Sequence, residues 1–230
     1  SMDAQETVPV TVGGKAGTSR GTLSTGAVDE SGTLNNLCRV GLGSNRWATS
    51  GIRQYLNSDK PKNTWWTPQT KWDRPPNYAS TRDGYLAGFE DKSFLERVPL
   101  LEVKTAKPYI DGGTANGTEC DVTYDRFWLP SAEDLYWAPG SYGIPSGLEG
   151  KALDYYRQLS GSKASTSVWA THQEYIMCGA EAPMVARYVF ERSATRDNGD
   201  NVSVCTASGT VRGTGAANGG RVAPACAFGI

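Results

Sequence analysis

An α+β fold with a mostly antiparallel sheet is what the residue pattern predicts, and three observations carry it. Apolar residues at helical spacing are concentrated early, around 43–58 and 93–98, whereas period-two alternation dominates the end of the chain. Strand and helix signals do not alternate as βαβ units would, which excludes a parallel doubly wound sheet. No self-similar period is visible, which excludes a solenoid or a propeller. At 230 residues the chain suffices for one well-cored domain over 1–230, with early helices and a β-rich C-terminal segment.

Each element has its own signal. The stretch 3–34 is rich in Gly, Thr and Ser and holds one alternating run, Val8, Val10 and Val12, closed by Gly13 and Gly14, which reads as a short strand and a loop. Within it, Gly17, Ser19 and Gly21 match the G-x-S-x-G of a hydrolase nucleophile elbow. That elbow needs a strand before it and a helix after it, and neither is present, so a turn is expected. The clearest helix is 43–58. Ile52, Tyr55 and Leu56 share one face, Trp47 precedes them, and Arg53 and Gln54 point away. After Pro61 comes an aromatic loop with Trp65, Trp66, Trp72 and Tyr78 among Pro68, Pro75 and Pro76. A loop of this length is expected to plug onto the core through its rings; the alternative is stacking of bases or sugars.

A second helix is expected at 93–98 after Asp91, with Phe94, Leu95 and Val98 on its apolar face, then a strand through Leu100, Leu101 and Val103. Another strand is expected at 125–130. Ser131 and Asp134 have capping-box spacing: the hydroxyl accepts a free backbone N–H and the carboxylate reaches back, opening a short helix through Trp137. Leu153, Tyr156 and Leu159 mark a helix between Gly150 and Gly161. The remaining strands are expected at 167–171, 184–190, 201–206 and 221–228, the last with an edge or bulge at Pro224.

The formal net charge of -1, with Lys and Arg scattered, leaves no electrostatic footprint for nucleic acid. No apolar run reaches the length of a membrane span, and the start lacks the basic flank and apolar core of a signal peptide. Ser1 and Met2 read as an added residue followed by a start. Five cysteines (Cys38, Cys120, Cys178, Cys205 and Cys226) without a CxxC pair argue against a zinc site and a disulfide framework. They are expected to act as small hydrophobes, although Cys205 and Cys226 could face each other.

The single histidine, His172, is expected to be a hydrogen-bonded structural residue. Asp197, Asn198 and Asp200 could supply oxygen ligands to a structural calcium ion, but the expectation is no metal and no cofactor. Gly213 and Gly215 begin a G-x-G-x-x-G pattern that ends in Asn218 with no helix after it, so no dinucleotide site is expected. No nucleophile, acid and base come together, and no enzyme activity is expected.

The segment from about 192 to 230 mixes two kinds of position. Arg192, Ser193, Ala194, Val202, Val211, Ala216 and the run 221–226 recur as scaffold. Between them stand Thr195, Asn198, Asp200, Asn201, Ser203, Thr206, Thr210, Thr214 and Asn218, with Arg196 and Arg212 as the two large anchors. These polar side chains carry too little apolar surface to hold a fold by burial, so they are expected to project from one ordered surface as ligand-binding residues. The plain alternative is a solvated hairpin.

The order RSA, NV, SG, V, A and RVAPAC resembles the terminal segment of diversity-generating retroelement variable proteins, in which scaffold letters persist and the intervening positions are rewritten. Gly213, Ala217 and Gly220 would also be rewritten slots. Elsewhere MDAQE, GSNRWATSGIRQYLNSD, PPNYAS, DRFWLPSAED and EGKALDYYRQL resemble an uncharacterised domain family of phage and prophage proteins of Gram-positive gut bacteria, which is similar to the C-type-lectin-like fold. Where such relatives carry YWLRS, this chain has Val189, Phe190, Glu191, Arg192 and Ser193 after Tyr188. It also lacks the EPN, QPD and WND motifs of calcium-dependent lectins.

The resemblance implies one C-type-lectin-like domain with a variable segment at 192–230, acting as a recognition module on a phage virion or bacterial cell surface. The implied partner is a cell-surface protein or glycan, with multivalent display offsetting weak contacts and with no membrane insertion. Two other readings stand beside it. One is a structural or decoration protein of a virion. The other is an enzyme of the formylglycine-generating type, which needs Cys205 and Cys226 as a reactive pair.

Overall fold

The structure, a computed structural model, describes residues 1–4, 11–12, 15–16, 43–70, 73–108, 111–114, 116–135, 144–151, 153–154, 189–196, 199, 201–205 and 211–228. Two short strands, β1 (Thr11–Val12) and β2 (Lys15–Ala16), pair with each other. Helix α1 (Gly51–Leu56) and helix α2 (Lys92–Glu96) precede an antiparallel ribbon of β3 (Leu101–Ala106) and β4 (Cys120–Asp125). The C-terminal part supplies β5 (Val189–Ala194), β6 (Asn201–Cys205), β7 (Val211–Gly215) and β8 (Arg221–Val222), which form a four-stranded sheet in the order β7-β6-β5-β8. Only the β5–β8 pair among these is parallel. The class is therefore mixed α+β, with helices before most of the sheet.

The expected helix over 43–58 is broken. A 3-10 turn at Trp47–Thr49 ends at Ser50, whose extended backbone and hydroxyl, accepting from Arg53 N at 3.3 Å, start α1 afresh. Trp47, Ile52 and Leu56 are buried as expected. Arg53 does not point away: its Nε donates to Asp125 Oδ1 at 2.8 Å. Asp125 Oδ2 accepts from Thr123 Oγ1 at 2.6 Å and Trp47 Nε1 at 3.2 Å. A fully buried carboxylate needs these donors, and meeting that need fastens α1 to β4.

Asp91 caps α2 by accepting from Ser93 N at 2.8 Å. The expected strand at 125–130 lies five residues earlier, because it is Cys120–Asp125 that pairs with β3. Trp128 instead makes a single bridge to Ala225, with hydrogen bonds of 3.0 and 2.7 Å. β8 stops two residues before Pro224, so only a fragment of the expected 221–228 strand forms there.

The aromatic loop is anchored from within. Trp65 is buried, donates to Arg82 O at 2.8 Å, and stacks on Tyr78 with centroids 5.6 Å apart. Tyr55 meets Tyr78 edge-on at 5.4 Å and Tyr85 at 6.0 Å, and Tyr85 meets Phe127 at 5.2 Å. Such pairs contribute about 0.5–1.5 kcal/mol each beyond their buried area. Trp72 lies outside the described residues, as do Gly17, Ser19, Gly21, His172, the expected strand at 167–171 and nearly all of the helix expected at 150–161.

Every residue of β5 is buried, including Glu191, Arg192 and Ser193. Arg192 donates to Leu129 O at 2.9 Å, to Glu149 O and to the Asp134 carboxylate. Ser193 Oγ donates to the Glu149 carboxylate and accepts from Ala132 N at 2.9 Å. Glu149 also accepts from Ala106 N at 2.9 Å, which closes the network onto β3. The capping box is formed: Ser131 N donates to Asp134 Oδ2 and Asp134 N to Ser131 Oγ, both at 2.9 Å. Among the described residues one turn follows, closed by Leu135 N to Ser131 O at 3.2 Å, and Trp137 lies outside the described residues.

Candidate recognition site

Residues directly opposite in an antiparallel pair point to the same side of the sheet. Between β6 and β7, Val202 faces Thr214, Val204 faces Arg212, Ser203 faces Gly213 and Asn201 faces Gly215. The polar positions of the terminal segment are therefore divided between two sides and do not share one surface, as a period of two requires.

Ser203 and Thr195 are interior residues. Ser203 is fully buried and Thr195 nearly so, and among the described residues neither hydroxyl has a hydrogen-bond partner. Thr195 N donates to Asn201 O at 2.9 Å, and a Cβ on Gly213 would lie 3.2 Å from Thr195 Oγ1. Gly213 is itself exposed, but a side chain there would press on the Thr195 hydroxyl. Arg196, expected as an anchor for ligand, is 0% exposed. Its guanidinium donates to Lys107 O at 3.2 Å, to Gly117 O and to Glu119 Oε2 at 3.1 Å, so it ties the end of β5 to the β3–β4 connection. A cation in the interior must find acceptors, and these carbonyls are its acceptors.

Asn201 is half-buried, and its carbonyl accepts from Asn45 Nδ2 at 2.7 Å. Gly220 has no room to vary: a Cβ there would sit 2.4 Å from the ring of Phe190, itself fully buried. Asn198, Asp200, Thr206 and Thr210 lie outside the described residues, as does Asp197.

What stays open is Arg212, Thr214, Ala217 and Asn218. Arg212 and Asn218 are exposed and Thr214 is half-exposed, because among the described strands β7 lies at the edge of the sheet, beyond the buried Val202 and Val204. The turn after β7 is closed by Asn218 N to Gly215 O at 3.0 Å and by Asn218 Nδ2 to Thr214 Oγ1 at 2.9 Å. Ala216 beneath it is fully buried, and its carbonyl accepts from Met2 N at 2.8 Å and Asp3 N at 3.1 Å. The backbone is pinned while its side chains face outward.

Two clefts flank this turn. One, of about 340 Å³, is lined by Asp3, Arg74, Pro76, Asn77 and Ala217. The other, of about 200 Å³, is lined by Ile52, Tyr55, Tyr78, Arg82, Gly220 and Val222, and Ser1 borders both. A sequence profile for the family described as Domain of unknown function (DUF6273) matches residues 29–228. The chain belongs to this family. No curated protein and no solved structure matches it. The DUF6273 region contains every wall of both clefts except the first few residues.

Within the DUF6273 region, burial pushes the Tyr78 phenol up, with Asp3 and Tyr55 adding to the effect, so it remains a neutral hydroxyl. Cys226 carries a free thiol that burial pushes up, the opposite of an activated nucleophile. Among the described residues no three His, Cys, Asp or Glu side chains gather as metal ligands, and no helix is long and apolar enough to cross a membrane.

Sequence reading pointed at the terminal segment and missed the opposite wall. Arg74, Asn77, Tyr78 and Arg82 come from the aromatic loop, more than 130 residues away in the chain. The available signal was the interleaving of basic with aromatic residues, which by itself points equally to a plug for the core.

Proposed function

We propose that this DUF6273 chain is a ligand-recognition module, a phage receptor-binding or bacterial surface-displayed protein whose terminal segment is diversified by a retroelement. The observation that carries this reading is β7 with the turn that follows it: the backbone is fixed through Ala216, while Arg212 and Asn218 are exposed and Thr214 is half-exposed. Side chains on such a turn can change with little effect on the fold, the property a diversified surface needs. On this reading the mixed α+β architecture is C-type-lectin-like, the protein performs no catalysis, and the partner is a cell-surface protein or glycan. Arg212 is the large anchor that remains; the other contacts are small and polar, so single-site affinity is modest and multivalent display supplies avidity.

The test is the combined variant Arg212→Ala, Thr214→Ala, Asn218→Ala. Its unfolding transition is expected to match the parent, while binding to arrays of bacterial surface glycans and proteins, or to intact cells, is lost. Retained binding would sink the proposal. A parent protein that self-associates through this face would favour the virion structural role instead, and sedimentation of parent and variant reads that directly.

A further inference from the structure

Arg74 and Arg82 stand on the walls of the two clefts, both exposed, and among the described residues neither guanidinium meets a carboxylate or a carbonyl. Arg97 and Arg212 are exposed as well but line neither cleft, whereas three further arginines are engaged. Arg46 binds Asp121 with two bonds of 2.7 Å, Arg53 binds Asp125, and Arg126 donates to Leu95 O at 2.8 Å. Two unpaired guanidiniums beside concave surface are donor forks without acceptors, and their planar geometry suits carboxylate or phosphate oxygens.

The rest of the lining narrows the ligand. The guanidiniums sit in separate clefts that share Ser1 and run along the same turn, one touching Ala217 and the other Gly220. An extended ligand reaches both clefts; a single small anion reaches one. Asp3 shares the first cleft with Arg74, which disfavours a bare polyanion and suits a ligand that presents hydroxyl donors between its anionic groups. Asn77 adds an amide to the same wall, and Ile52, Tyr55 and Val222 give the second cleft an apolar floor that suits the C–H face of a ring.

Resting on the recognition reading above, we propose that the two clefts form one groove for an acidic oligosaccharide. Arg74 and Arg82 take successive anionic groups, and Asp3 and Asn77 take ring hydroxyls. Both arginines lie outside the segment 192–230, so the groove fixes a class of ligand while the turn beside it adjusts which member binds.

The probe is a trimer of galacturonic acid, titrated into the whole chain at low salt and followed by calorimetry. Its fully methyl-esterified form and hexaglutamate serve as comparators. The trimer is expected to bind, and Arg74→Ala and Arg82→Ala each to weaken it about fivefold to tenfold, as loss of a charge-assisted hydrogen bond implies. Methyl esterification is expected to abolish binding, and the Arg74→Lys and Arg82→Lys variants to keep part of the affinity for the free trimer that the alanine variants lose. Both arginines are exposed, so the melting transitions are expected to be unchanged. Absence of trimer binding, indifference to the two Arg→Ala changes, or equal binding of hexaglutamate overturns the proposal. The Arg212, Thr214 and Asn218 variant separates the two readings: it should lose cell binding while keeping trimer affinity within about twofold.

Discussion

Two stretches of the terminal region carry the same kind of residue and do opposite work. In β5 and just beyond it, Glu191, Arg192, Ser193, Thr195 and Arg196 are all buried; in β7 and the turn after it, Arg212 and Asn218 are exposed and Thr214 half so. The difference lies in their neighbours. β5 is an interior strand with β6 on one side and β8 on the other, and the β3–β4 ribbon packs near it, so its polar groups must be satisfied within the protein. Among the described strands β7 has a partner on one side only, and water serves its exposed side chains. Polarity of a residue therefore does not report exposure here; strand position in the sheet does.

The largest expected effect breaks the buried side of this comparison. Arg192→Ala removes the donors to Leu129 O, Glu149 O and Asp134 and leaves a buried carboxylate unpaired. A loss of about 3–5 kcal/mol is expected in denaturant unfolding. Arg196→Ala should cost less, on the order of 2 kcal/mol, because Glu119 is partly exposed and can turn to water.

Next comes Glu191, whose two carboxyl oxygens have no hydrogen-bond partner among the described residues and whose pKa is pushed up from 4.5 to about 8, by burial first and by Glu149 second. The folded state holds a proton that the unfolded state releases above about 4.5. The associated stability is fully present below that pH and is lost progressively as pH rises to about 8, with a slope of up to about 1.4 kcal/mol per pH unit. Glu191→Gln should flatten much of this slope and be more stable than the parent at pH 8; a residual slope of the same sign is expected from Glu149, whose carboxyl burial also raises. Parallel stability–pH profiles for parent and variant would contradict the neutral-acid assignment.

A smaller effect is expected at Gly220. Gly220→Val must displace a packed Phe190 ring and should cost about 1–3 kcal/mol, visible as a lowered melting temperature. The smallest belongs to the open turn: Arg212→Ala, Thr214→Ala and Asn218→Ala should each stay within about 0.5 kcal/mol of the parent. A loss at Asn218 as large as that at Arg192 would erase the distinction between the two stretches.

Legibility followed the range of the interaction. Ser131 with Asp134 and Asp91 with Ser93 are contacts within one turn, and both caps could be read from spacing. The apolar face of Ile52 and Leu56 was legible for the same reason, and Trp65 and Tyr78 anchor their loop as a segment of that length demands. The break at Ser50 escaped because a serine inside a helical pattern is also compatible with a continuous helix until its hydroxyl finds Arg53 N. Arg53 escaped because its acceptor lies 72 residues away.

By itself, the sequence determined the α+β class, the local caps, the aromatic anchoring of the 61–80 loop and the terminal segment as the place where polar residues alternate with scaffold. Only the tertiary structure decided which of those polar residues face outward. It turned Thr195, Arg196 and Ser203 inward, closed Gly220 against Phe190, and set Arg74 and Arg82 beside Ala217 and Gly220. The physical reason is that a side chain's cost or benefit depends on the acceptors and the water around it. Those are set by strand order and by loops more than 130 residues away, which no local pattern encodes.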